Sequence, residues 1–347
     1  MSHRSLGIAG FSIVVIIVIL GAAGRARAWG PDGHKTVAAI ADKLIAGTKA
    51  ADQVHALLGT TSLEDAAVWA DCAKGVQAKG TPLVFTYEGA GNYPECAPFE
   101  TPAAEAEMVD FVKRNFDACS PKPGEETCHK QYHYSDISIS HAAYAPTLVG
   151  ARPDDIVNAV AATIAVLQGR PAPAPFSIKN QREALLLLFH YVGDIHQPLH
   201  VGAIYLDAAG HRVDPDATGQ DPATETRGGN NILLGGGKNF HAAWDNIPTP
   251  LTAGNVDDQW LANAKKVATT SGAIATWSTA WATASVKDAR KAFQGLTFGS
   301  RWQDAKGQEK WSATLPRTYD ASMAKAKRVQ LTNGGARLGQ VLKAIWP

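Results

Sequence analysis

The sequence has no Asn-x-Ser/Thr sequon, no Cys-x2-Cys pair, no internal repeat and no run of basic residues. The missing sequon favours a bacterial exported chain over a glycosylated one. The missing Cys-x2-Cys pair argues against cysteine-held zinc. Without a basic tract, composition alone attracts no polyanion over long range. There is no nucleophilic Ser or Cys motif and no linker long enough to force a domain boundary. Cysteine is scarce: Cys72, Cys96, Cys119 and Cys128 make an even set of four. In an exported chain that predicts two disulfides, with three possible pairings that spacing does not decide between.

Export itself is written at the start. Arg4 precedes an uncharged run from Leu6 to Gly24, and Ala26-Arg27-Ala28 closes it with a small-x-small pattern. These are the parts of a secretory signal peptide. A membrane anchor is the alternative, because the run is nearly long enough to span a bilayer. The alanines at 26 and 28 favour cleavage, so the mature chain is expected to begin at Trp29 and to be secreted or periplasmic. That leaves 319 of 347 residues, enough for one large domain. Removing Arg4, Arg25 and Arg27 from 33 basic residues leaves 30 against 32 acidic ones, a net charge of −2.

The mature chain reads as mostly helix. Val37, Ile40, Ala41 and Leu44 fall at helical spacing. Ser62 with Asp65 three residues on gives a capping-box pattern, and Thr101 with Pro102 gives a helix start. The segment from Pro153 runs apolar to Gly169, and the one from Asn180 is stopped by Pro198. Trp277 and Trp281 lie one turn apart, and a helix closes the chain. Residues 88–100 read as a loop. Residues 207–231 are rich in Gly, Asp, Thr and Pro and read as a surface loop or short hairpin. The expectation is one all-α domain over residues 29–347.

Chemistry enters where histidine and aspartate fall. His190 and Asp194 stand four apart on a strongly apolar helix, so they share a face. His200 follows past Pro198, and His241 with Asp245 repeats the spacing. Asp71 ends "VWAD" and His133 lies in "HYSD". Any one of these alone reads as a cap or a satisfied core residue. Together they read as ligands, because buried carboxylates and imidazoles need strong partners. The nitrogen and oxygen donor set suits zinc. A chain starting at Trp29 also offers a free α-amino group, a carbonyl and, five positions on, His34.

In "WGPDGH", "WAD", "HYSD", "HYVGDIHQPLH", "GGNN" and "HAAWD" the chain resembles the zinc-dependent single-strand-specific nucleases, which share a fold with bacterial zinc phospholipase C. The matching pieces span Trp29 to Asp245 in family order. The resemblance implies a helical domain holding three Zn2+ ions. Asp71, His133, His190 and Asp194 would hold the first. His200, His241 and Asp245 would hold the second, and Trp29, His34 and Asp194 the third. It implies hydrolysis of single-stranded DNA and RNA to 5′-phosphorylated products, with 3′-nucleotidase activity on nucleotides. Asp71, Lys74 and Asp194 would be catalytic. Lys74 departs from the arginine common at that place, giving a point charge instead of a fork. Tyr134 would stack on a base, Asp136 would bond its edge, and Asn246 is a weaker base-site candidate. Asn230 would order the approach to the metals, and His196 would support a ligand. His55, His129, His141 and His211 have no assigned role.

Two other functions compete. A phospholipase C-like enzyme acting on phospholipid would share the fold, but the Trp-x4-His spacing and the His241/Asp245 pair are nuclease-like. A non-catalytic zinc-binding protein would need neither an open position nor a stacking Tyr134. No stable protein partner is implied, and a monomer is expected.

Overall fold

The computed structural model describes residues 29–122 and 125–347. The expected signal peptide, residues 1–28, and its cleavage point lie outside them. The described helices are α1 (Pro31–Ile45), α2 (Lys49–Leu58), α3 (Leu63–Ala66), α4 (Trp69–Ala73), α5 (Pro102–Arg114), α6 (Cys128–Gln131), α7 (Ile156–Leu167), α8 (Gln181–Ile195), α9 (Pro215–Thr218), α10 (Phe240–Asp245), α11 (Asp258–Lys265), α12 (Trp277–Ala292) and α13 (Tyr319–Ile345). The strands are short: β1 (Val76–Lys79), β2 (Val84–Tyr87), β3 (Ile137–Ser138), β4 (Gly202–Ala203), β5 (Tyr205–Leu206), β6 (Arg212–Val213), β7 (Ile232–Leu233), β8 (Thr297–Phe298), β9 (Trp302–Gln303) and β10 (Glu309–Thr314). The protein is mainly α, as the periodicity predicts.

The expected caps form. Ser62 accepts from the Asp65 amide at 3.0 Å, and Thr101 from the Ala104 amide at 3.3 Å. Asn180 starts α8 by accepting from the Glu183 amide at 2.9 Å. From Glu183 to Ile195 every residue of α8 is buried. A helix apolar on all sides belongs in the centre of a domain, and α8 does contact α1, α4, α7, α12 and α13. Because α8 is the central post, the His190 and Asp194 it carries are delivered to the interior.

The N- and C-terminal helices pack together closely. A Cβ on Gly335 of α13 would lie 2.4 Å from Ile40 Cβ of α1. Only glycine permits that approach, which outweighs its helix penalty of about 1 kcal/mol. The disulfides are Cys72–Cys96 and Cys119–Cys128. The first ties α4, and hence Asp71, to the 3-10 turn Pro94–Phe99.

Three regions differ from the sequence reading. Residues 88–100 contain that 3-10 turn. The antiparallel hairpin β1–β2 was not expected. Nor was the arm β8–β10, in which β10 pairs with β9 and β8 on one side and runs parallel to β7 on the other. Strands of two to six residues are too short to show a period. At the start of residues 207–231 a hairpin does form, between β5 just before them and β6 within them.

Candidate metal centre

Five segments converge on one point. His34 comes from α1, Asp71 from α4, His133 from just after α6, and His190 with Asp194 from α8. His241 and Asp245 come from α10. Pro198 ends the run of α8, and the 3-10 turn Pro198–His200 brings His200 back beside His133. All eight side chains are buried.

The backbone fixes three imidazoles in one tautomer. Nδ1 of His190 faces the Ala67 carbonyl at 2.8 Å. Nδ1 of His200 faces the His133 carbonyl at 2.7 Å, and Nδ1 of His241 the Gly228 carbonyl at 2.8 Å. A carbonyl only accepts, so each Nδ1 donates, and in the neutral ring each Nε2 presents a lone pair. Those lone pairs face other acceptors. His200 Nε2 and His241 Nε2 stand 3.0 Å apart, with Asp245 Oδ2 3.6 Å from the latter. His190 Nε2 is 3.1 Å from Asp194 Oδ2 and 3.6 Å from Asp71 Oδ1. His133 Nδ1 is 2.9 Å from Asp194 Oδ2 and 3.9 Å from Asp71 Oδ1. The other Asp194 oxygen, Oδ1, lies 3.3 Å from His34 Nε2. Asp194 therefore turns one oxygen to each of two groups.

The buried polar atoms are short of partners. Both His34 nitrogens, Asp194 Oδ1 and Asp245 Oδ2 have no hydrogen bond. Orphaned buried acceptors carry a heavy desolvation cost, and a divalent cation at each cluster removes it. The residues present thus fit metal, in the groupings His133/His190/Asp194 and His200/His241/Asp245, with His34 and Asp71 adjoining the first. Burial and the neighbouring His190 lower the His34 imidazole to about 4. Burial and His200 lower His241 to about 3. Both rings are neutral at physiological pH, the form in which imidazole ligates metal. Burial would raise the Asp71 carboxyl, but Lys74 and His190 outweigh it and hold it well below the usual range.

Trp29 is fully buried. The Gly30 amide donates to the Asp245 carbonyl at 2.9 Å, so the start of the described chain is pinned to the end of α10. A cleft of about 580 Å3 opens from Asp71, His133, His200 and His241. Lys74, whose Nζ lies 2.7 Å from Asp71 Oδ1, stands on its wall with Tyr134, Asp136 and Asn230. Burial and Glu225 push the Asp136 carboxyl up to about 7.

The family model of the S1/P1 nucleases matches residues 29–347, through every element just described. The chain belongs to the S1/P1 nuclease family. No curated protein matches it. Membership makes this S1/P1 family chain a metal-dependent hydrolase acting on nucleic acid, and its paired His/Asp clusters are groups able to bind metal.

Two expected residues lie elsewhere in this family member. Asn246 is exposed and does not border the cleft. The chain turns away after Asp245, and the Asn246 carbonyl accepts from buried Lys327 at 2.5 Å. His196 touches no candidate ligand: its Nδ1 faces the Val192 carbonyl at 2.7 Å and its Nε2 meets Arg337 at 2.8 Å, joining α8 to α13. Gln197 was missed. It is fully buried and donates to Asp245 Oδ1 at 2.9 Å, which orients that carboxylate. A polar residue between His196 and Pro198 carries no sequence signal of that contact. Of the unassigned histidines, His141 pairs with Asp216 at 2.8 Å and Asp214 at 3.5 Å on the 207–231 segment.

Proposed function

We propose that the protein, once shortened to begin at Trp29, is an exported phosphodiesterase with three zinc ions. It hydrolyses single-stranded DNA and RNA to 5′-phosphorylated products and also removes phosphate from 3′-nucleotides. The observation that carries this is the confrontation of unprotonated nitrogens and carboxylate oxygens around His200/His241 and Asp194. With neutral imidazoles no arrangement of protons satisfies it, and nitrogen–oxygen donor sets suit zinc. Asp71, His133, His190 and Asp194 would hold one ion. His200, His241 and Asp245 would hold another, and the Trp29 main chain, His34 and Asp194 the third. When bound, such ions supply Lewis acidity at the reacting phosphate.

The chain's own residues do the rest. Lys74 puts a cationic Nζ on the cleft wall, where it neutralises a phosphate oxygen. Tyr134 offers a face on which an unpaired base stacks, worth roughly 1–3 kcal/mol and tolerant of base identity. Asp136, with a carboxyl near neutrality, both donates to and accepts from a base edge. A paired base shows neither its face nor its pairing edge, which gives preference for single strands. The four cysteines joined in two disulfides support an oxidising destination.

The test is turnover of single-stranded DNA, double-stranded DNA, RNA and phosphatidylcholine by protein starting at Trp29, before and after chelation. Single-stranded substrates should be cleaved fastest, with 5′-phosphate products. Chelation should abolish the activity and zinc restore it. Full activity after exhaustive chelation would sink the metal reading. Faster turnover of phosphatidylcholine would replace the nuclease with a phospholipase.

A further inference from the structure

The cleft has a second wall, formed by the turn Thr226–Asn231 and the β8–β10 arm. In the turn, the Gly229 and Asn231 amides donate to the Thr226 carbonyl, each at 3.0 Å. Arg227 sits at φ 50°, followed by Gly228 at 56° and Gly229 at 91°. A residue with a side chain is strained in that left-handed conformation, where glycine is the default. The arginine is exposed and borders the cleft beside Tyr134 and Asp136. Among the described residues no carboxylate lies within ion-pairing distance of it.

Lys310 of β10 reaches the same wall. Its side chain is 11% exposed, and its nearest carboxylate, Asp304, is 3.9 Å away. Its Nζ donates instead to neutral oxygens, Asn231 Oδ1 at 2.7 Å and Gln308 Oε1 at 3.2 Å. Burial depresses its pKa, Asp304 offsets part of that, and Arg227 adds to the depression. Two cations are thus held near each other, and among the described residues Asp304 is the one carboxylate within ion-pairing distance of either. The register adds an aromatic. Lys310 pairs directly with Trp302 across β9–β10, and directly opposed side chains share a face. Trp302 is 45% exposed, one of few large apolar side chains so open to water among the described residues. Trp311, next along on the opposite face, is completely buried and donates to the Asp207 carbonyl at 3.0 Å. The arm is anchored by one tryptophan and presents the other.

We propose that this wall is a subsite for a nucleotide flanking the cleaved one, with Arg227 and Lys310 holding its phosphate and Trp302 stacking on its base. The inference rests on the phosphodiesterase reading above and adds to it a preference for longer single strands. Charge neutralisation and stacking are both indifferent to base identity.

The experiment measures kcat/KM of zinc-loaded protein on a thymidine dinucleotide and an eight-residue oligothymidylate. Wild type should favour the octamer. Trp302→Ala should lower octamer turnover about tenfold, the scale of one lost stack, and leave the dinucleotide unchanged. Trp302→Phe should retain most of the octamer rate. Arg227→Ala/Lys310→Ala should flatten the dependence of log kcat/KM on log salt by about 0.7 on the octamer, the value for one single-strand phosphate neutralised. Metal content and melting temperature establish that each variant is folded. Equal losses on both lengths, a phenylalanine no better than alanine, or an unchanged salt slope would each overturn the subsite. Wild type cleaving both lengths equally well would remove the subsite and leave the phosphodiesterase standing. Cleavage of neither would bring down both.

Discussion

Gly193 lies in the middle of α8, where alanine would add about 1 kcal/mol of helix stability. Its reason is His34. A Cβ at position 193 would lie 2.5 Å from His34 Nδ1 and 2.9 Å from Cε1. Ordinary contact is about 3.5 Å, so Gly193→Ala forces the ring outward by roughly 1 Å. His34 already stacks on His190, one turn back on α8, with centroids 3.8 Å apart. It can only move off the helix, taking Nε2 away from Asp194. Overpacking costs about 1–3 kcal/mol, and the helix gain offsets part of it. The net change in fold stability is therefore about 0–2 kcal/mol. A displacement of 1 Å at a catalytic group, by contrast, costs on the order of 10²-fold in rate. Metal analysis, urea unfolding of the metal-free protein and kcat/KM on single-stranded DNA together separate the two effects. We expect one zinc fewer per chain, a nearly unchanged unfolding midpoint and about a hundredfold loss of activity. Full metal content with activity within twofold of wild type would refute the reasoning.

Asp194→Asn should cost at least ten times more activity than Lys74→Ala, since Asp194 turns an oxygen to each of two clusters while Lys74 supplies one charge, worth about 10²-fold. Equal kinetic losses would contradict the shared role. Protein carrying one alanine before Trp29 should bind one zinc fewer than protein beginning at Trp29, because an amide nitrogen has no free lone pair for a metal. Identical zinc contents would remove Trp29 from the site. Replacing Cys72 and Cys96 with serine opens a link across 24 positions and should lower the free energy of unfolding by about 3 kcal/mol. A urea midpoint that does not move would show that the crosslink is not what holds α4.

Much of the centre was legible because its signals are local. His190 and Asp194 share a helix face by spacing, His241 and Asp245 do the same, and the caps at Ser62 and Thr101 mark helix starts within four residues. What the sequence hid depends on contacts between distant segments. Gln197 meets Asp245 across 48 positions, and Lys310 meets Asn231 across 79. The sequence reading put His196 and Asn246 nearer the site than they are. Adjacency along the chain does not settle which way a residue faces where a helix ends, and both sit at such ends. The cysteine pairing was open for a similar reason: four half-cystines state a number, and only the packing of α4 against the Pro94–Phe99 turn states a partner.

The glycine-lined contact between α1 and α13 also sets an order of events. Residues separated by nearly the whole chain, Ile40 and Gly335 among them, must meet before α1 is packed on both sides, against α8 and α13. Loop closure over such a span is slow. A chain emerging from a ribosome lacks α13 until synthesis is almost complete. The helix that carries His34 therefore gains its last packing partner only when the C-terminal helix is present.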